Sequence, residues 1–318
     1  MEGRTHKFAA ASRTSGLTRC GTIGHFEEYS ARNVANGDNT HYFRSSDGLQ
    51  LYCRDFASDK DGTPVLCLPG LTRNSRDFED LANYLSGRRR VLTPDLRGRG
   101  LSEYDPEWRN YHPSTYVQDA WTLLDTLAID KVIVIGTSLG GICAMAMSAQ
   151  QKERVAGVIL NDIGPEVNPA GAIRVRENAG RAKPVHSWGE AIEQFRRTYA
   201  HFFPGLSDVD WQKLVQRGYR ENEQGVPELD VDLNVGKAAR ELKPKTGDLW
   251  QMFDTLSDIP VVLLWGVLSD LLTEDIVKKM RVRNRDLEVV PISNRGHVPL
   301  LNEPECRVAI DNLIDRVW

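Results

Sequence analysis

Long apolar runs are missing from this 318-residue chain, and none approaches the roughly 18 consecutive apolar positions that a membrane-spanning helix requires. Cysteine is sparse: Cys20, Cys53, Cys67, Cys143 and Cys306 are odd in number and widely spaced, with no Cys-x-x-Cys pair and no zinc-like Cys/His cluster. That pattern excludes a disulfide framework and a structural metal, and Cys67 and Cys143 sit in apolar runs where cysteine acts as a small buried hydrophobe. Strong charge is lacking too. A formal net charge of −4 argues against a nucleic-acid-binding face, and Arg88-Arg89-Arg90 and Arg196-Arg197 read as solvated edges. There is no internal repeat and no low-complexity tract. Near the N-terminus, the run Phe8-Ala9-Ala10-Ala11 is too short for a secretory signal. Residues 1–39 are expected to be a poorly ordered extension, and the protein to be cytoplasmic.

What is present begins at about residue 40. His41–Arg44 and Leu49–Arg54, split by Ser46-Asp47-Gly48, read as a β-hairpin. Short buried-strand runs follow at Val65–Leu68, Arg90–Thr93, Val132–Ile135 and Val155–Leu160. Helical spacing is seen between them at Asp77–Leu85, from Ser114 to Ala128, and at Leu139–Gln151. Alternation of this kind implies a mostly parallel sheet covered on both faces. The pattern lapses between Pro165 and Trp250, where Trp188–Phe203 and Asp210–Asn222 look helical and no buried strand is evident. It resumes with Val261–Trp265, a helix at Glu274–Arg283, the strand Leu287–Val290 and a helix from Pro304. The natural division is an α/β core at 40–164 and 251–318, with an all-helical insertion at 165–250.

Gly136-Thr137-Ser138-Leu139-Gly140 fits G-x-S-x-G, follows a β-branched strand and opens a helix. A sharp strand-to-helix turn of this kind holds a serine exposed at the sheet's edge. A lone serine hydroxyl is a weak nucleophile and needs a base, which in turn needs an orienting acid. Asp270 follows the strand Val261–Trp265, and His297 follows the strand Leu287–Val290. Three separate segments therefore converge on the carboxyl edge of one sheet, where open α/β sheets bind ligands.

With those residues in place, the chain resembles the α/β-hydrolase superfamily over roughly residues 40–318. Further stretches carry the resemblance. Leu68-Pro69-Gly70-Leu71-Thr72 stands at the family's oxyanion loop, with Pro69 in place of the usual His. Asp95-Leu96-Arg97-Gly98-Arg99-Gly100-Leu101-Ser102 looks like D-x-R-G-x-G-x-S, Asn294–Pro299 like the Gly-His block, and Asn302-Glu303-Pro304 like the start of the final helix. The resemblance implies an α/β-hydrolase fold with a mostly parallel eight-stranded sheet and a helical cap. It implies the triad order Ser, acid, His: Ser138 as nucleophile, Asp270 as acid and His297 as base. Asp162, just after Val155–Leu160, is the rival acid, because some relatives place theirs there. The resemblance also implies an oxyanion hole from the backbone N–H groups of Leu71 and Leu139.

Trp188, Phe202, Phe203 and Val298 are the candidate substrate contacts. The cap's other aromatics, Phe195, Tyr199 and Trp211, serve either as roof or as the cap's own core. Arg174, Arg176 and Arg181 are candidates for holding a substrate carboxylate. Ser138 stands where dehalogenases and epoxide hydrolases of this fold carry Asp, which disfavours an alkyl-enzyme route. The expectation is a serine hydrolase acting on a small-molecule ester or lactone, with no cofactor and no metal, as monomer or homodimer. A carbon–carbon bond hydrolase of ring-fission products and a slow-turnover ligand sensor are the alternatives.

Overall fold

The computed structural model describes residues 39–57, 61–242 and 248–317, all within one unit, Gly37–Trp318. The N-terminal extension, with Cys20, lies outside the described residues apart from Asn39. The first stretch runs β1 (Asn39–Arg44), β2 (Gln50–Phe56), β3 (Val65–Leu68), α1 (Glu79–Leu85), β4 (Val91–Asp95), α2 (Pro113–Thr126), β5 (Val132–Thr137), α3 (Leu139–Gln150) and β6 (Val155–Asn161). Next come α4 (Pro169–Asn178), α5 (Trp188–Tyr199), α6 (Asp208–Gly218), β7 (Tyr219–Glu221), β8 (Pro227–Leu229) and α7 (Leu233–Glu241). The chain closes with α8 (Leu249–Asp254), β9 (Val261–Gly266), α9 (Glu274–Arg283), β10 (Glu288–Ile292) and α10 (Pro304–Arg316).

Eight strands form one sheet in the order β1-β2-β4-β3-β5-β6-β9-β10. Only β2 runs against its neighbours β1 and β4; every other pairing is parallel. Alternate residues of the central strands point to opposite faces, as the two-residue period of a strand demands. Leu66, Val134, Leu160 and Leu263 join one core beneath α2, α3 and α9. Val65, Ile135, Ile159 and Val262 join the other, under α1 and α10. Burying each such side chain contributes about 1.5–3 kcal/mol, so these short runs of β-branched residues hold a two-sided sheet.

The segment between β6 and β9 departs from the expectation in one respect: it is not all helical. The helix expected at Asp210–Asn222 stops at Gly218, and Tyr219–Glu221 pairs antiparallel with Pro227–Leu229. The turn between them is built by Asn222, whose Oδ1 accepts from the N–H groups of Gln224 and Val226, both at 3.0 Å, with Gly225 at φ +73°. The helices start where small polar side chains cap them: Asn168 for α4, Ser187 for α5, Ser207 for α6 and Asp232 for α7.

Just after the hairpin, residues 230–232 are stitched to the loop that follows β4. Val231 forms a β-bridge with Arg99. The Asp232 N–H donates to the Gly98 carbonyl at 2.7 Å, and the Tyr111 hydroxyl donates to Asp232 Oδ2 at 2.6 Å. Asp230 is held by the Arg76 guanidinium and by Asn74 Nδ2. No helix among the described residues is long and apolar enough to cross a membrane.

Candidate active site

Ser138 stands between the last residue of β5 and the first of α3, with φ +51° and ψ −112°. Left-handed backbone is rare for a residue with a side chain and marks a strained position. The flanking glycines make the turn possible. A Cβ on Gly140 would stand 2.0 Å from the Leu68 carbonyl oxygen, and one on Gly136 would stand 2.4 Å from the Gly140 carbonyl carbon. The Ser138 N–H donates to Asn161 O at 3.1 Å, and its own carbonyl accepts from Gly141 and Ile142. The serine is thus pinned from both sides at the sheet's carboxyl edge.

Ser138 Oγ lies 2.9 Å from His297 Nε2. On the far side of the ring, His297 Nδ1 lies 2.8 Å from Asp162 Oδ2. A carboxylate only accepts, so Nδ1 carries the ring proton and Nε2 presents its lone pair to the serine hydroxyl. Asp162 is fully buried, and its charge is met by donors: the Gly266 N–H reaches Oδ1 at 2.9 Å, and Ser269 Oγ reaches Oδ2 at 2.6 Å. It too adopts left-handed backbone, φ +53°, at the end of β6.

This geometry corrects the expectation for Asp270. The rival carboxylate, Asp162, occupies the position on His297, while Asp270 faces away into a two-pronged ion pair with Arg174. Arg174 Nε and Nη2 donate to its Oδ2 and Oδ1 at 2.5 and 2.7 Å. Burial pushes the Asp270 carboxyl up, but the Arg174 hydrogen bonds and charge outweigh it and leave the group below the ordinary carboxylate range. Ser269, one residue earlier, supplies the hydroxyl on Asp162, a role that nothing in the sequence pattern had suggested.

A cavity of about 300 Å³ opens over Ser138 and His297. Its wall takes in Leu71 from the loop after β3, Phe195, Tyr199 and Phe203 from the segment between β6 and β9, and Val298 and Leu300 beyond the histidine. Of the four candidate contacts, Phe203 and Val298 line it. Trp188 and Phe202 do not. Trp188 packs with Val185, Ala191, Val215 and Tyr219, and its indole N–H is bonded to Glu221. Phe202 is 3% exposed and lies under the Arg174 guanidinium, 4.5 Å from its ring centre. Gly296, whose Cβ would stand 2.4 Å from the Phe202 ring, donates its N–H to the Phe202 carbonyl. The Trp188 and Phe202 rings are taken up by packing, while Phe195, Tyr199 and Phe203 of the same segment reach the cavity. Among the three arginine candidates, Arg174 and Arg181 line the cavity and Arg176 does not.

The Asp95–Ser102 block acts on the site from behind. Arg99 is completely buried, and its Nε and Nη2 both donate to the Leu71 carbonyl, at 3.0 and 2.7 Å. Its Nη1 donates to Arg97 O and the Tyr116 hydroxyl. Leu71 O is therefore turned away from the cavity. Leu139 is the first residue of α3, where helix N–H groups have no partner within the helix. Among the described residues, no group of three His, Cys, Asp or Glu side chains gathers as a metal site.

Comparison with known proteins agrees with this architecture. The model of the alpha/beta hydrolase fold family matches residues 63–304. The chain is 30% identical over 249 residues to the 3-hydroxybutyrate-oligomer hydrolase of Cupriavidus necator, a match covering 76% of this chain and 84% of that protein. It is 29% identical over 257 residues to the 2-(acetamidomethylene)succinate hydrolase of Mesorhizobium japonicum, covering 80% and 88% of the two chains. A crystal structure of an alpha/beta hydrolase from Novosphingobium aromaticivorans superposes with a TM-score of 0.84 at 38% identity, covering 88% of this chain and 99% of that one. The chain belongs to the α/β-hydrolase family. Within that family it is a hydrolase.

Proposed function

We propose that the protein is a serine hydrolase that cleaves an ester or lactone of a small organic molecule through an acyl-enzyme. The observation that carries this reading is the unbroken line of hydrogen bonds from Ser138 through His297 to Asp162 at a cavity of about 300 Å³. In this reading Ser138 Oγ attacks the substrate carbonyl as its proton passes to His297 Nε2. Buried Asp162 stabilises the imidazolium and fixes the ring. The N–H groups of Leu71 and Leu139 receive the oxyanion, each contributing about 3–4 kcal/mol to the transition state. Collapse of the intermediate expels the alcohol with the proton from His297, and water then attacks the acyl-enzyme by the same route. Residues 165–250 act as a cap that roofs the cavity and excludes bulk water. The relative named as a 3-hydroxybutyrate-oligomer hydrolase supports the ester reading.

The test is hydrolysis of p-nitrophenyl esters from acetate to octanoate by the protein and by Ser138→Ala. Sustained turnover abolished in the variant is the expected result. Activity surviving in Ser138→Ala would overturn the assignment, and a single stoichiometric burst without turnover would overturn the ester reading in favour of a slow ligand sensor.

A further inference from the structure

The cavity wall is basic although the chain is acidic overall. Five cationic side chains, Arg73, Arg174, Arg181, Lys213 and Arg217, face three aspartates there, in a chain with a formal net charge of −4. Most of these cations are spoken for. Arg174 is paired with Asp270, Arg181 with Glu177 and Arg217 with Asp80.

Arg73 is built differently. Its Nε and Nη2 grip Asp77 at 2.7 and 2.6 Å, and Nη2 also donates to the Leu214 carbonyl at 3.0 Å. A guanidinium has five N–H donors, so the two on Nη1 are left over. Room for Nη1 is made by Gly218, where a Cβ would stand 2.4 Å from that nitrogen. The residue is also close to the reacting serine. The point where a Cβ would stand on Gly70 is 3.6 Å from Arg73 Cγ and 4.0 Å from Ser138 Cβ, so one small group spans the gap between the two side chains. Two tyrosines complete the corner. Tyr199 and Tyr219 line the same cavity. Burial pushes both hydroxyls up; the charges of Arg174 and Arg73 pull Tyr199 back, and that of Arg73 pulls Tyr219 back.

We infer that Arg73 is a specificity-determining residue: the cavity takes esters that carry a carboxylate a few atoms from the scissile carbonyl, held by Arg73 Nη1 with the Tyr199 and Tyr219 hydroxyls. The inference rests on the ester-hydrolase reading and names the substrate class for that site. Asp77 holds the guanidinium plane in place, and the free edge meets the incoming anion. Charge-assisted hydrogen bonds of this kind are the strong ones and set orientation as well as affinity.

The experiment compares kcat/KM on matched pairs: mono-p-nitrophenyl glutarate against p-nitrophenyl valerate for an anion on the acyl side, and β-butyryloxybutyrate against its primary amide for an anion on the alcohol side. The protein should prefer the anionic member of at least one pair by about tenfold or more. Arg73→Met should bring that ratio towards one, and Arg73→Lys should restore part of it. The ratio is read within each variant, so a general loss of structure cancels. No preference for the anion in either pair, or a fall of both members together in Arg73→Met, overturns the inference. If no probe is hydrolysed, the ester reading fails, and glutarate binding measured by calorimetry decides the inference on its own. Binding weakened about tenfold or more in Arg73→Met upholds it, and binding absent or unchanged overturns it.

Discussion

His297 and Asp162 share a hydrogen bond of 2.8 Å whose acceptor oxygen also receives the Ser269 hydroxyl. Apart from the histidine, two donors fix the carboxylate, the Gly266 N–H and the Ser269 hydroxyl, so its effect is to hold one ring orientation and one tautomer. Asp162→Asn would present an amide to Nδ1 and favour the wrong tautomer. Its kcat should fall by about 10⁴-fold. Asp270→Asn breaks only the Arg174 pair and should change kcat by less than about tenfold. Steady-state kinetics on the two variants side by side decide the matter, and a heavier loss at Asp270 would reverse the assignment.

Arg99 and Leu71 form a second relationship that chemistry can probe. Two guanidinium nitrogens hold one carbonyl, and that grip fixes the backbone of Leu71, the residue proposed to supply an oxyanion N–H. Lysine keeps the charge but not the fork. Arg99→Lys should lower kcat by about ten- to a hundredfold with a smaller change in KM, because a misplaced oxyanion donor costs the transition state more than the bound ester. Parallel thermal melts separate this from unfolding.

Glycine contacts give a pair of stability predictions with opposite outcomes. Gly140→Ala drives a methyl to 2.0 Å from the Leu68 carbonyl, so α3 must move off β3 at a cost of about 1–3 kcal/mol or more. Gly70→Ala places its methyl at ordinary contact distance, 3.6 Å from the nearest atom, and should leave stability within about 1 kcal/mol. Denaturant unfolding of both variants checks the contrast.

Acid sensitivity should be traceable to the turn between β1 and β2. Hydrogen bonds from Arg97 hold the Asp47 carboxyl down at about 2, below its ordinary 3.8. A carboxyl with a lowered folded-state value contributes its stability fully above its unfolded value and loses it as pH falls through the folded one. The stability gap between the protein and Asp47→Asn should therefore be constant above pH ~5 and close between pH ~4 and ~2. Asp47 is 44% exposed, so the gap is small and shrinks with added salt. A gap that widens on acidification would contradict the ion-pair origin.

Ser138 and His297 were legible in the sequence because each follows a short apolar strand run, Ser138 directly after β5 and His297 in the loop five residues beyond β10. The acid was not, for a physical reason. Asp162 and Asp270 both follow buried strands, and what separates them is left-handed backbone at Asp162 and the reach of Gly266, at the end of β9, and Ser269, in the loop after it. The hairpin at β7 and β8 escaped notice because three-residue strands carry too little periodicity, though Asn222 and Gly225 are turn residues by type. Arg73 gave no signal at all: its significance lies in Gly218, remote in sequence, leaving room for one nitrogen.

The stitching of Asp230, Val231 and Asp232 to the loop after β4 sets where one protein of this design can be spliced to another. A donor segment exchanged between residue 165 and the hairpin would leave Asp232 on Tyr111 and Asp230 on Arg76, and with them the loop whose Arg99 orients Leu71. A junction placed a few residues later would cut those ties and disturb the backbone of Leu71 without touching Ser138, His297 or Asp162. The useful seam for exchanging substrate range therefore lies before Asp230.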